Sequence, residues 1–198
     1  MALVCGIDEA GRGPVIGPMV MAGVMVEESE FGILKGMGVK DSKLLTPKQR
    51  EELMPSIIRM AKGHKIIIVS AHEVDEALIS ETSNLNWLEA QVTASILNAL
   101  KPDKAIVDCP STNVAAYTRY LLNLLANKEM RMVVEHKADV NWVVVGAASI
   151  IAKVTRDAEI EKLKKKYGDF GSGYISDPKT KDFLKKNYSK CPEIFRKT

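Results

Sequence analysis

Cysteine is scarce in this chain: Cys5, Cys109 and Cys191 are odd in number and far apart. Neither a disulfide framework nor a CxxC zinc site fits that spacing, and reduced thiols in a cytoplasmic setting are the simplest reading. Histidine is equally thin, and His64, His72 and His136 show no HxxxH or HExxH spacing, so no role is assigned to them. Long apolar runs are missing as well. The run over residues 142–152 meets Lys153 after eleven residues, short of the roughly 18 needed to cross a bilayer. The first seven residues reach Asp8 and Glu9 too soon for the basic flank and apolar region of a secretion signal. With 13 Gly and 8 Pro and no repeat, collagen-like and low-complexity classes are excluded. A net charge of +3 is too mild to announce a nucleic-acid partner.

What remains is an ordinary globular composition, 198 residues with 46% hydrophobic and 27% charged, for which one domain is the default. Residues 3–7 and 15–26 read as strands, and the stretch 34–43, with its lysines and glycines, reads as a surface loop. Thr46-Pro47 opens a helix that ends near Gly63, with Pro55 as a potential kink. Strand patterns follow at 65–70, 104–109 and 131–136, alternating with helical patterns at 73–79, 86–100 and 113–127. A long helix is expected over 140–167, capped by Asp139, then a glycine-rich loop, then a helix near 178–188 capped by Asp177. Strands that alternate with helices after two early consecutive ones give an α/β class with a mixed central sheet.

The densest signal is Gly6-Ile-Asp-Glu-Ala-Gly-Arg-Gly-Pro14, an apolar strand that ends in two carboxylates and a Gly-Arg-Gly turn. A dinucleotide fingerprint needs a helix next, and Pro14, Gly17 and Pro18 punctuate a second strand instead. Asp108 also ends a short apolar strand, and ligands gather at strand ends in α/β sheets. Asp139 is explained by capping alone, yet with Asp8, Glu9 and Asp108 it suggests a cluster. Strand alternation sends Asp8 and Glu9 to opposite faces, which a turn beginning at Ala10 could relieve. If they converge, the acids need cations to stay ionised, and an all-oxygen set points to Mg²⁺ or Mn²⁺. A carboxylate-held metal pair suits phosphodiester hydrolysis. Gly11 and Gly13 allow close backbone approach, Arg12 offers a fork of donors, Lys43 is a candidate phosphate contact, and Tyr174, at the end of Gly171-Ser-Gly-Tyr174, is free either to stack on a sugar or base or simply to pack.

Six ordered blocks carry a family resemblance: residues 6–14, Val39-Lys-Asp-Ser-Lys43, Val107-Asp108, His136-Lys-Ala-Asp139, residues 147–157, and Tyr167-Gly-Asp-Phe-Gly-Ser-Gly-Tyr174. Over nearly its full length the chain resembles type 2 ribonuclease H (ribonuclease HII) in its single-chain archaeal-like form. The resemblance implies a ribonuclease H-like fold, a mixed sheet flanked by helices, with a core over about 1–167 and a helical substrate-binding part over about 168–198 within one catalytic domain. It implies that Asp8, Glu9, Asp108 and Asp139 are catalytic and hold two Mg²⁺ or Mn²⁺ ions. It implies that Gly11, Arg12, Gly13 and Tyr174 read the 2′-OH beside the scissile phosphate while Lys43 holds a phosphate. Lys153 and Arg156 match family positions without an assigned contact. The implied substrates are RNA:DNA hybrids and duplex DNA with embedded ribonucleotides, cut on the 5′ side to leave 5′-phosphate and 3′-hydroxyl ends. A monomer is expected. A sliding clamp is a family partner, but no clamp-binding motif is visible here. The charge distribution fits this substrate: residues 1–152 carry a net −3 and residues 153–198 a net +6.

Overall fold

A computed structural model of the chain describes residues 2–40 and 42–197. Asp41, inside the Val39–Lys43 block, lies outside the described residues. Among these residues five strands form one mixed sheet in the order β3-β2-β1-β4-β5. They are β1 (Leu3–Ala10), β2 (Met19–Glu27), β3 (Gly63–Val69), β4 (Lys104–Asp108) and β5 (Arg131–Glu135). The hairpin-like neighbours β1, β2 and β3 run antiparallel, whereas β1, β4 and β5 run parallel, so β1 carries both kinds of partner.

Helices cover both faces: α1 (Phe31–Gly36), α2 (Pro47–Met60), α3 (Ala71–Ile79), α4 (Leu85–Leu100), α5 (Val114–Leu124), α6 (Ala138–Asn141), α7 (Val143–Tyr167) and α8 (Pro178–Asn187). Alternation along β2 explains its continuous apolar run. Val20, Ala22, Val24 and Val26 face the cluster built with α7, while Met19, Met21 and Met25 face the cluster that includes Ile96 and Leu97 of α4. The apolar first half of α7 is buried from Val143 through Ala152, which accounts for the apolar run over residues 142–152. A third cluster joins Ile16 and Ile160 to Phe170, Cys191, Ile194 and Phe195, and fastens the C-terminal segment to the second half of α7. The cysteines are buried and unpaired. Among the described residues no helix is long and apolar enough to cross a membrane.

Several elements depart from the pattern read in the sequence. The second strand starts at Met19 rather than at residue 15, because Gly17 takes a φ of 88° and Ile16 instead bridges to Phe195. The stretch 34–43 is not a plain surface loop. Leu34 and Val39 are buried in the core, and their burial outweighs the loop-like composition around them. Ser70 does not end a strand but caps α3, accepting from the Glu73 amide in a capping box. The same device starts α2, where Thr46 pairs with Gln49, and that helix runs through Pro55 to Met60. Asp139 is not the cap of the long helix. It lies inside α6, and α7 begins separately after Trp142, whose extended backbone breaks the two apart.

Gly6 sets how closely α7 can approach the sheet. A Cβ there would lie under 3 Å from the backbone of Val144 and Val145. Replacing Gly6 with Ala is therefore expected to destabilise the protein by about 1–3 kcal/mol through overpacking. Thermal or denaturant unfolding measures the loss, and an unchanged midpoint would contradict this packing.

Candidate active site

Asp8 and Glu9 are neighbours on β1, and the pleat sends them to opposite faces. The strand continues through Ala10, so no turn intervenes. Asp8 points to the α7 side, where Ser149 hydrogen-bonds it, while Glu9 faces the α4 side near Glu89. They are nonetheless brought into one electrostatic group by Asp108. The β1–β4 register pairs Ile7 with Val107, which sets Asp8 level with Asp108 at the carboxyl ends of adjacent parallel strands. Asp139 arrives on α6, and α6 is tied to β4 because the Ala138 amide donates to Asp108 Oδ1 at 2.9 Å.

Burial of this much acidity shifts its titration. Desolvation lifts Asp8 to about 7; Ser149 and the Glu9 amide oppose the rise, and the charges of Asp108 and Asp139 add to it. Glu9 is held well above the usual carboxylate range, first by burial and then by Asp8, Glu89 and Asp108. Asp108 is raised chiefly by burial and further by Asp139, against the Ala138 amide and Lys43. Cations answer from one side. Lys43 Nζ lies 3.1 Å from Asp139 Oδ2. Lys153 hydrogen-bonds Ser42, whose hydroxyl shares a 2.7 Å bond with Ser149.

Among the described residues no three acidic, histidine or cysteine side chains converge tightly enough to hold a metal ion as they stand. Two features fit a hard divalent cation all the same. The donor set is entirely oxygen, and Asp139 Oδ1 is buried without a hydrogen-bond partner, a cost that a ligand would remove.

Beside the acids lies an open cleft of about 450 Å³, lined in part by Glu9, Gly11, Arg12, Gly13, Lys43 and Tyr174. Asp8, Asp108 and Asp139 connect to it through Glu9 and Lys43. Gly11 has a φ of 80°, and a Cβ there would meet the Pro18 carbonyl, so glycine is required for this turn. Tyr174 is 41% exposed, and its ring stands next to Gly13 with the Arg156 guanidinium 5.6 Å from its centre. The Arg12 fork is partly engaged already: Nε bonds Glu89 Oε1 at 2.8 Å and Nη2 bonds Asn86 Oδ1 at 2.9 Å.

Glu89 was not singled out in the sequence, although it repeats with Thr93 and Ile96 on the buried stripe of α4. A glutamate at a core position of an apolar stripe is the signal that could have found it. Ser149 is similarly the polar member of an otherwise apolar stretch of α7. Arg196, which bonds the backbone of the Gly11–Gly17 turn, carries no local signal because its partners lie at the other end of the chain.

The mixed five-stranded sheet with flanking helices is a ribonuclease H-like fold. The model of the family described as Ribonuclease HII matches residues 5–198. Ribonuclease HII of Pyrococcus furiosus is 48% identical, covering 98% of this chain and 86% of that protein. The crystal structure of ribonuclease H2 from Pyrococcus horikoshii OT3 superposes with a TM-score of 0.90 at 44% identity, covering 98% of this chain and 92% of the other. The ribonuclease HII of Archaeoglobus fulgidus, solved as a complex with PCNA, gives 0.88 at 42% identity, with 98% and 94% covered. The chain belongs to the ribonuclease HII family, and is an endoribonuclease acting on RNA:DNA hybrids.

The raised acids make a prediction for the metal-free protein. The folded state holds the Asp8 proton up to about 7, while the unfolded chain releases it near 3.8, so stability falls as pH rises through that interval. In chelator, the protein is expected to gain stability from pH 8 to pH 5. Asp8→Asn should stabilise it at pH 8 by on the order of 2–4 kcal/mol and flatten the profile. Thermal unfolding across pH checks both, and a wild-type protein that loses stability on that descent contradicts the buried-acid arrangement.

Proposed function

We propose that the protein cuts the strand on the 5′ side of ribonucleotides embedded in duplex DNA, as well as the RNA of hybrids, leaving 5′-phosphate and 3′-hydroxyl ends. What supports this reading is that Asp8, Glu9, Asp108 and Asp139, from three separate segments, lie near enough to shift one another's titration, beside a cleft lined in part by Glu9, Gly11, Gly13 and Tyr174. These acids are the proposed catalytic residues. Two divalent cations, Mg²⁺ or Mn²⁺, held by the four acids would supply an activated water and stabilise the leaving oxygen.

The chain's own groups do the rest. Buried Asp8 and Asp139 and the backbone-anchored Asp108 keep the carboxylates in place without help from solvent. Gly11, Arg12 and Gly13 bring backbone close to the ribose, and Tyr174 presents its ring and hydroxyl to the same 2′-OH, the group that separates RNA from DNA. Arg156 supports that ring from one side. Lys43, on the rim of the cleft and next to Asp139, contacts a nearby phosphate. The C-terminal part, net +6 over residues 153–198, attracts the backbone of the duplex. Residues 1–198 act as one catalytic domain, with the substrate-binding part over about 168–198. The work suits DNA replication and repair in the cytoplasm, where unpaired thiols such as the buried cysteines persist. By its likeness to the Archaeoglobus fulgidus protein solved with PCNA, a sliding clamp is a candidate partner.

A duplex with a single embedded ribonucleotide tests the reading. Wild-type protein with Mg²⁺ is expected to cut it once, on the 5′ side of the ribonucleotide, and chelator should stop the reaction. Asp108→Asn should lower cleavage on the order of 1,000-fold or more while leaving duplex affinity nearly intact. End-labelled gel mapping and a binding titration read the two effects. Wild-type turnover by Asp108→Asn, or no cut at the lone ribonucleotide, overturns the proposal.

A further inference from the structure

The chain's last described residues return to the Gly-Arg-Gly turn. Phe195 bridges to Ile16, the Gly17 amide donates to the Ile194 carbonyl at 2.9 Å, and the Arg196 amide donates to Val15 at 2.9 Å. On the far side the Lys197 amide donates to Asp75 Oδ1 at 2.8 Å, which ties the strap to α3. Arg196 itself is only 6% exposed.

Its guanidinium is spent on backbone carbonyls. Nη1 donates to Arg12 O at 2.8 Å, Nη2 to Gly11 O at 2.7 Å and Gly17 O at 3.0 Å, and Nε to Gly17 O at 3.1 Å. A buried cation held by three carbonyls has a geometric consequence. In a trans peptide the C=O of one residue and the N–H of the next point in opposite directions. With the carbonyls of Gly11 and Arg12 drawn inward to Arg196, the amides of Arg12 and Gly13 are turned outward, to the cleft that these residues line. Neither amide donates a hydrogen bond among the described residues. Adjacent outward amides are a ready donor pair for a hydroxyl or phosphate oxygen.

We propose that Arg196 is a positioning residue for ribose recognition: it gathers the carbonyls of Gly11, Arg12 and Gly17 and so aims the Arg12 and Gly13 amides at the substrate's 2′-OH. The proposal rests on the reading of the Gly-Arg-Gly turn given above. A planar guanidinium is suited to the task because one rigid fork serves three acceptors, where a lysine ammonium could not hold the same spread. Glu89 complements it from the side-chain direction, since its bond to Arg12 Nε keeps that side chain off the amides. The arginine remains a cation at neutral pH, burial having lowered it only to about 10.

The test compares two duplexes of one sequence, all-DNA and carrying a single ribonucleotide, by fluorescence anisotropy in EDTA so that nothing is cut. Wild-type protein is expected to prefer the ribonucleotide duplex. Arg196→Ala should lose about tenfold of that preference, the worth of one good hydrogen bond, with affinity for the all-DNA duplex unchanged. Arg196→Lys should not restore it, whereas added methylguanidinium should restore it to Arg196→Ala; a generally loosened fold would not respond to that small cation. If the wild type binds both duplexes alike, the reading of the turn falls and takes this proposal with it. If the wild type discriminates and folded Arg196→Ala discriminates equally, only the role of Arg196 is overturned. Should Arg196→Ala fail to fold, Arg196→Lys decides on the same comparison: retained preference overturns the role, and lost preference supports it.

Discussion

Negative charge held away from water is the constraint on which the rest of this structure depends. Asp8 and Asp139 are almost wholly buried, Asp108 and Glu9 adjoin them, and each of Asp8, Glu9 and Asp108 is pushed above its ordinary titration range by burial and by its neighbours. Such a group does not stabilise a fold, and apolar replacements of similar volume would serve stability better. The surrounding residues limit the cost rather than remove it. Lys43 reaches Asp139, the Ala138 amide reaches Asp108, and the Ser42–Ser149 pair links Asp8 to Lys153. The unpartnered Asp139 Oδ1 marks the compensation as incomplete, and a divalent cation is what the remaining acidity is suited to receive.

The fold gathers these groups through its central strand. β1 is antiparallel to β2 and parallel to β4, which brings Asp8 and Asp108 side by side although one hundred positions separate them in the sequence. Gly6 lets α7 settle directly on β1, and that same helix supplies Ser149 from its buried half and Lys153 and Arg156 beyond it. Past α7 the chain turns basic and returns through the strap of residues 194–197, whose arginine holds the Gly11–Gly17 turn from behind. The acids and the turn beside them are therefore fixed by opposite ends of the chain.

Much of this was legible in the sequence, for physical reasons that differ from place to place. Strand-end acids after short apolar runs located Asp8, Glu9 and Asp108, and Gly11 showed itself through the turn that follows. Thr46-Pro47 and Asp177 marked helix starts because capping is a local interaction. Tertiary burial defeated the local reading elsewhere. The glycines and lysines around Leu34 and Val39 resemble a loop, yet both apolar residues are drawn into the core. Asp139 resembled a cap, but the α6–α7 break at Trp142 depends on contacts to β4 and Glu135 that no local pattern reveals. Glu89 and Arg196 act on the turn at Gly11–Gly17 from 77 and up to 185 positions away, a separation across which single-sequence patterns carry no information.

Asp8, Glu9, Asp108 and Asp139 are proposed to form one cation-holding group rather than four separate acids. Calorimetric titration of Mn²⁺ into wild-type protein and into Asp139→Asn tests it most directly, because that substitution keeps the shape and removes a single charge at the atom pair flanked by Lys43. Saturable binding to the wild type is expected, with a loss of affinity in Asp139→Asn of at least about tenfold. Equal Mn²⁺ affinity in the two proteins, or no saturable binding to the wild type, would contradict it.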